Sequence, residues 1–175
     1  MEIALLEDNA IRLKGKQGSV VFEPKKKTKT TADAIIYFAK DPKVDISSDL
    51  SSSSRVTISG PGEYEVSGIK ISGKDYQGEL LYIVNLDYID IMVATSSAIE
   101  KANGKQKEAQ VVICDCNSEV NSASILTLSP RITVLYGVLS DTTLKSLGKE
   151  PIAKVAKFNT AADKFPAEME VVLLG

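Results

Sequence analysis

The chain has 175 residues, of which 43% are hydrophobic and 25% charged, and this composition predicts one domain, residues 1–175, around a single sizeable core. The formal net charge is −2, so we expect neither nucleic acid nor an anionic membrane surface as a partner. Histidine is absent, which excludes a Ser-His-Asp triad, a histidine general base and a histidine-based zinc site.

Short β-rich segments separated by turn residues dominate the first part of the chain. Four strands are predicted there, at residues 3–6, 10–13, 19–22 and 34–38. Residues 15–18 form a hairpin-turn pattern, and Pro24 ends the third strand because proline cannot donate a hydrogen bond to a ladder. The unbroken apolar run at residues 34–38 indicates a strand that is covered on both faces.

The middle of the chain continues in the same style after a polar interval. The serine-rich residues 40–54 predict a loop with one short helix. Strands are predicted at residues 55–59 and 64–71 around the turn Gly60-Pro61-Gly62, and a further hairpin at residues 80–86 and 89–94.

Strands alternate with short helical patterns in the second half. Residues 97–109 are typical of a helix or a loop, a helix is predicted at residues 122–128, and Asp141 is a candidate N-cap for a helix that Gly148 ends. Buried strands are predicted at residues 111–114, 132–136 and 169–174. Hairpins followed by such an alternation predict two sheets that lie between helices.

The two cysteines, Cys114 and Cys116, flank Asp115 at the end of a predicted strand. At this spacing both side chains point to the same face of the strand. A disulfide between such positions is strained and uncommon, so we interpret the pair as small buried core residues.

The segment from Gly60 to Gly73, GPGEYEVSGIKISG in one-letter code, is the most distinctive in the chain. It resembles a strand pair of the metallo-β-lactamase superfamily, in its short bacterial branch of lactonase-like, zinc-dependent hydrolases. Residues 1–3, 12–16, 32–36 and 144–148, and then 165–168 and 171–174, resemble further parts of that branch in the same order. The resemblance implies an α/β (α+β) fold: a four-layer αββα sandwich, with two mixed sheets flanked by short helices.

The same resemblance identifies the positions where the superfamily holds two zinc ions, through an H-x-H-x-D-H motif and three further ligands. Each of these positions carries a different residue type in this chain. The former metal-motif positions are Asp8, Ala39, Asp41, Lys43, Val44, Ser96 and Tyr136, the last two aligned by pattern only.

Zinc needs three or four converging nitrogen, sulfur or oxygen ligands at about 2.0–2.3 Å. Ala39 and Val44 have no lone pair to offer, and Lys43 places a cation beside a dication. We therefore expect that the zinc ligands are not retained, that no cofactor is bound and that the superfamily's hydrolytic mechanism is lost, which is the pattern of a pseudoenzyme.

Three alternatives remain open. A residual polar pocket of Glu7, Asp8, Asp41 and Asp45 is a candidate for weak Mg²⁺ or Ca²⁺ binding, with Cys114, Asp115 and Cys116 as further candidates near it. Two carboxylates could form a metal-free acid–base site. The former pocket could also bind a small anionic ligand through Arg12, Lys40 and Lys43. We expect the pocket to be filled by side chains, since an empty polar cleft leaves groups unsatisfied.

Two functions of different classes follow. The first is a non-catalytic binding or scaffold protein that forms a homo-oligomer or pairs with an active relative. The second is a divergent metal-dependent hydrolase of the same fold with a relocated or non-zinc site. The first residues lack a signal-peptide pattern and no apolar run reaches about 18 residues, so we expect a cytoplasmic protein without a membrane span.

Overall fold

The computed structural model of the chain describes residues 1–40, 42, 46, 48–54, 56–102 and 104–175. Strands are the main element of this part of the chain. In chain order they are β1 (Glu2–Leu5), β2 (Ile11–Lys14), β3 (Ser19–Phe22), β4 (Ala34–Ile36), β5 (Val56–Ile58), β6 (Gly62–Val66), β7 (Ile69–Tyr76), β8 (Glu79–Leu86), β9 (Ile89–Thr95), β10 (Val111–Asp115), β11 (Ile132–Tyr136), β12 (Lys154–Val155), β13 (Lys157–Asn159) and β14 (Glu170–Leu174).

Helices in the described residues are short. They are α1 (Ser48–Ser53), α2 (Ser96–Ala102), α3 (Ser122–Leu126) and α4 (Ser140–Ser146), with single 3₁₀ turns at Glu7–Asn9 and Ala162–Lys164. The longest α-helix described has seven residues, and none is long and apolar enough to cross a lipid bilayer.

The strands form two mixed sheets. The first sheet has the order β13-β1-β2-β3-β4-β5, with antiparallel pairs up to β3 and parallel pairs from β3 to β5. The second sheet has the order β12-β14-β11-β10-β9-β8-β7-β6, parallel from β12 to β9 and antiparallel from β9 to β6.

Three apolar layers hold this architecture together. The largest lies between the two sheets and includes Phe22 of β3 and Tyr82 of β8, whose ring centroids are 6.1 Å apart. A second layer packs α2, α3 and α4 on the outer face of the second sheet. On the outer face of the first sheet, Leu50 of α1 packs against Val21 and Ile35. The predicted four-layer αββα sandwich is therefore confirmed.

Central strand β10 shows why the sequence folds in this way. Its residues 111–114 are fully buried, as expected for a parallel strand with apolar material on both sides. Val111 and Ile113 face the layer between the sheets, while Val112 and Cys114 face the helices.

The structure differs from the sequence-based expectations at several elements. The single strand predicted at residues 64–71 is divided between β6 and β7, which pair as a hairpin. The turn at residues 60–62 carries the chain from β5 in the first sheet to β6 in the second, so it does not join neighbouring strands. Asp141 lies in the first turn of α4, whose N-cap is Leu139. Two edge strands were not predicted from the sequence pattern: β13 forms one edge of the first sheet, and β12 forms one edge of the second.

Candidate functional site

A cleft of about 510 Å³ lies where the carboxyl ends of β9, β10 and β11 meet the loops that follow β1, β3 and β4. Ligands of sheet proteins with parallel strands commonly bind at this edge, because the loops that follow the strands converge there. The described residues around the cleft are Asp8, Asn9, Glu23, Lys25, Phe38, Ala39, Gly78, Glu79, Thr95, Asp115, Asn117, Gly137 and Val138.

Three residues other than glycine around this cleft have a left-handed backbone conformation. Asp8 and Asn9 have φ values of 61° and 62° in the turn after β1, and Glu23 has a φ of 51° directly after β3. Residues other than glycine adopt such angles at a cost of about 1 kcal/mol or more. Tertiary contacts therefore hold the cleft walls in conformations that the local sequence does not favour.

Glu23 is fixed by hydrogen bonds at both its backbone and its side chain. Its backbone N–H donates to Ile36 O over 3.0 Å, and its carboxylate accepts from the backbone N–H of Phe38 at 2.5 Å. Burial raises the pKa of Glu23 above its ordinary value, and the Phe38 N–H only partly offsets this effect. Glu23 thus fixes the backbone at the end of β4 and just after it, and its desolvated carboxyl group lines the cleft.

Asp115 ends β10 and is the second desolvated carboxyl group in the cleft. Burial, followed by the charge of Glu23, raises the pKa of Asp115 to about 6, against a lowering effect of Lys25. No hydrogen bond to its carboxylate occurs within the described part of the chain. A carboxyl group with this pKa can take up or release a proton close to neutral pH.

Gly137 is the residue that lets Asp115 occupy this place. Its φ is +92°, and a Cβ there would lie 2.7 Å from Asp115 Oδ1 and 3.3 Å from the backbone of Cys116. A side chain at position 137 would therefore displace the carboxylate as well as strain the backbone.

The sequence-predicted positions fall into two groups. Asp8 and Ala39 line the cleft and are exposed, whereas Glu7 is exposed in the same 3₁₀ turn but is not among the lining residues. Ser96 is fully buried and lies 3.1 Å from Asn117 Oδ1 through its hydroxyl group. Tyr136 is also buried, in the layer between the sheets. The structure therefore brings together Asp8 and Ala39, with Thr95 rather than Ser96 on the cleft wall.

Four of the predicted positions, Asp41, Lys43, Val44 and Asp45, lie outside the described residues. The predicted anionic-ligand site has two members within the described residues, Arg12 and Lys40, and both are paired elsewhere. Arg12 donates to Glu2 Oε1 at 2.7 Å and to Thr30 at 3.1 Å, and Lys40 forms an ion pair of 2.5 Å with Asp75.

The described residues leave a cleft of about 510 Å³ at the former metal pocket. Four positions that the resemblance or the residual polar pocket places there lie outside the described residues, so the expectation that side chains fill the pocket stays a prediction. Three of the polar groups around the cleft have hydrogen-bond or ion-pair partners. Glu79 is paired with Lys101 at 3.1 Å, Thr95 caps the N-terminus of α2 through Ala98 N at 3.1 Å, and Glu23 accepts the bond from Phe38.

A pair of zinc ions does not fit the donor set that the structure describes. Within the described residues no group of three or more His, Cys, Asp or Glu side chains converges closely enough to hold a metal ion. The carboxylates of Asp8, Glu23, Glu79 and Asp115 surround the cleft without forming such a group, and the whole chain has no histidine.

A larger cleft of about 940 Å³ lies at the opposite edge of the second sheet, near the amino ends of β10 and β11. Three of its charged residues already have partners. Lys107 lies 3.5 Å from Asp90, and Arg131 donates to Ala167 O over 2.9 Å. The larger volume of this cleft therefore does not make it the functional site. The smaller cleft, with its desolvated carboxyl groups, is the better candidate.

Sequence reasoning did not single out Glu23, Lys25, Glu79 or Asn117 as site residues. One signal could have found several of them: polar residues directly after predicted strands gather at one sheet edge. Asp115 was named among the candidates near the former pocket, and it does line the cleft.

The comparisons with known proteins give a match in structure but none in sequence. No family model matches the sequence, and no curated protein is significantly similar to it. A structure from Thermotoga maritima, assigned to the zinc-dependent hydrolases of the metallo-β-lactamase superfamily, matches with a TM-score of 0.73 and 16% identity over 99% of this chain and 98% of that one.

Two further solved structures show the same likeness. A protein from Parabacteroides distasonis assigned as a metal-dependent hydrolase matches with a TM-score of 0.58 and 11% identity, over 99% of this chain and 93% of that one. A diphosphatase of the PhnP family matches with a TM-score of 0.51 and 9% identity, over 95% of this chain and 81% of that one. The chain therefore has the metallo-β-lactamase fold, as the resemblance implied.

Proposed function

We propose that this chain is a catalytically degenerate protein with the metallo-β-lactamase fold, a pseudoenzyme that acts by binding a partner and not by zinc-dependent hydrolysis. The composition of the cleft carries this proposal. Ala39 occupies a former metal-motif position on the cleft wall and has no side-chain atom that could bind a metal ion. Ser96 and Tyr136 are buried and do not line the cleft.

The open cleft supports a binding role. The described residues around the former metal pocket leave a cleft of about 510 Å³. Its rim carries Val138, an apolar side chain that is 82% exposed, beside the half-buried ring of Phe38. Apolar groups at the mouth of a polar cleft are typical of a surface that contacts a ligand or another protein.

Metal analysis of protein purified without chelator tests the loss of the zinc centre. We expect much less than one Zn²⁺ per chain, and no rise in melting temperature when Zn²⁺ is added, since a metal that binds only the folded state would raise it. Panels of lactone, phosphodiester and thioester substrates should show no turnover above buffer. Stoichiometric zinc together with hydrolysis of any of these substrates would overturn the proposal.

The form of binding that we propose is a homo-oligomer or a complex with an active relative. Size-exclusion chromatography with light scattering, run over a range of protein concentrations, measures the first. A monomer at every concentration would exclude the homo-oligomer and leave the hetero-complex, which co-purification with a tagged relative of the same fold would test.

The second candidate is a divergent hydrolase with a non-zinc site, and the desolvated carboxyl groups of Glu23 and Asp115 favour it. Carboxylate oxygens suit Mg²⁺ or Mn²⁺ better than zinc. Activity on the same substrate panels that depends on either ion, and that Asp115→Asn abolishes while Glu7→Gln does not, would replace the first proposal with this one.

A further inference from the structure

The two cysteine side chains lie in contact inside the fold, on the face of the second sheet that the helices cover. Both are free and fully buried, and their sulfur atoms are 3.8 Å apart. The Cys116 thiol also donates to the carbonyl oxygen of Cys114 over 3.6 Å. No role in the proposed function depends on this pair.

We propose that Cys114 and Cys116 form a reversible redox couple, closed to an intrachain disulfide by hydrogen peroxide or a similar small peroxide and reopened by thiols. Two residues along an extended strand span about 6.4–6.8 Å, and the Cα atoms of disulfides are about 4.4–6.8 Å apart. The bridge is therefore within reach, and the sulfur atoms need to approach each other by a little under 2 Å to reach a bond of about 2.0 Å.

The position of the pair at the end of β10 favours this movement. Cys114 belongs to the strand, whereas Cys116 lies just beyond it, held by Cys116 N to Tyr136 O at 2.8 Å and by Leu139 N to Cys116 O at 2.9 Å. Asp115 is the last residue of β10 that pairs in the parallel ladder, with Thr95 on one side and Tyr136 on the other, so the approach of the two sulfur atoms requires a backbone shift only at this end of the strand. Such a bridge near the upper limit of Cα separation is strained, and strained disulfides are the ones that thiols reduce easily.

The two thiols are not equivalent. The hydrogen bond between them lowers the pKa of Cys116 and raises that of Cys114, while burial raises the pKa of both thiols. The hydroxyl group of Thr143 also lowers the pKa of Cys116. The thiolate is the reactive form, so Cys116 is the nucleophile and Cys114 the resolving thiol.

Thr143 also provides the route for a small oxidant. It is 3% exposed and borders a surface cleft of about 270 Å³ together with Val120 and Leu139. Because Thr143 lines this cleft and also bonds to Cys116, a rotamer change of Thr143 is the step that we propose for peroxide entry.

The proposed chemistry balances with one peroxide. Cys116 gives up its proton and the thiolate attacks a peroxide oxygen, the O–O bond breaks, and a sulfenic acid forms while the departing hydroxide takes up that proton and leaves as water. Cys114 then loses its proton and attacks the Cys116 sulfur, so that the S–S bond forms, the S–O bond breaks and a second water leaves. The dithiol supplies two electrons, which reduce the peroxide to water.

Intact-mass analysis of the folded full chain after peroxide treatment and alkylation tests the proposal. We expect both alkylatable thiols to be lost together, with a monomer lighter by two hydrogens, and both to return after treatment with dithiothreitol. The proposal would be overturned if both cysteines remained thiols in the peroxide-treated folded chain and were oxidised only after denaturant was added. It would also be overturned if the product carried added oxygen, or was a disulfide-linked dimer, without an intrachain bridge.

Two variants then test the assigned roles. Cys114→Ser should trap Cys116 as a sulfenic acid that reacts with dimedone, whereas Cys116→Ser should react with peroxide at least about tenfold more slowly. Equal rates would contradict the assignment of Cys116 as the nucleophile. Circular dichroism checks that each variant is folded, and the wild-type mass result stands independently of both.

Discussion

The hydroxyl group of Tyr82 donates a hydrogen bond of 2.9 Å to the backbone carbonyl oxygen of Tyr37, across the layer between the two sheets. Tyr82 is fully buried in β8, and Tyr37 follows β4. This bond ties the second sheet to the end of the strand whose loop forms one wall of the candidate cleft.

Removal of this hydroxyl should destabilise the sandwich. Tyr82→Phe leaves the buried carbonyl group of Tyr37 without this donor, and we expect a loss of about 1–2 kcal/mol in the free energy of unfolding. Urea denaturation followed by circular dichroism measures the loss.

Tyr64→Phe is the matched control. The Tyr64 hydroxyl donates to Gly60 O at 3.2 Å from a partly exposed position, so water can replace it and we expect a loss below about 0.5 kcal/mol. Equal losses in the two variants would contradict a special role for the bond between the sheets.

How far the sequence predicts this fold can be judged from particular elements. Central strands such as β10 and β11 were predicted well, because burial on both faces leaves a continuous apolar run. Strands β12 and β13 carry mostly exposed residues, so they have no such pattern and only the pairing with β14 and β1 defines them. The change of sheet at residues 60–62 is set by long-range packing, which turn residues do not encode.

The candidate site was predictable only in part. The resemblance placed Asp8 and Ala39 at one pocket, and both line the cleft. The raised pKa values of Glu23 and Asp115 arise where β3 and β10, which belong to different sheets, approach each other. No local pattern contains that proximity, and the same is true of the contact between Gly137 and Asp115.

Gly73 tests how closely the two sheets approach at their shared turn. A Cβ at this position would lie 2.7 Å from the carbonyl oxygen of Gly60 and 2.8 Å from the ring of Tyr82. Gly73→Ala should therefore cost about 2 kcal/mol through overpacking. Gly60→Ala is the control, since nothing lies within 4 Å of its added Cβ, and thermal denaturation should separate the two variants clearly.

Gly137→Ala should combine backbone strain with displacement of Asp115. Its φ of +92° costs about 1–2 kcal/mol for a residue with a Cβ, and the contacts with Asp115 Oδ1 at 2.7 Å and with the Cys116 backbone at 3.3 Å should add about 1 kcal/mol. Chemical denaturation measures the sum.

Gly78→Ala isolates the strain in that comparison. Gly78 has a similar φ of +87° with nothing within 4 Å of its added Cβ, so its alanine variant should lose only the backbone contribution. If the two variants lose the same free energy, the close approach of Gly137 to Asp115 has no energetic weight.

The pKa of Asp115, raised from 3.8 to about 6 by burial and by Glu23, makes the stability of the fold depend on pH. The folded state favours the protonated form of the Asp115 carboxyl group. The stability that this preference gives to the fold is therefore complete below about pH 4 and is lost as the pH rises through 6. Asp115→Asn should therefore be more stable than the wild type at pH 8, by on the order of 1 kcal/mol after allowance for partial exposure, and equal to it below about pH 4. Glu79→Gln, which removes the ion pair with Lys101, should show no such gain at pH 8. Lower stability of Asp115→Asn at pH 8 would mean that the ionised carboxylate is stabilised by the fold.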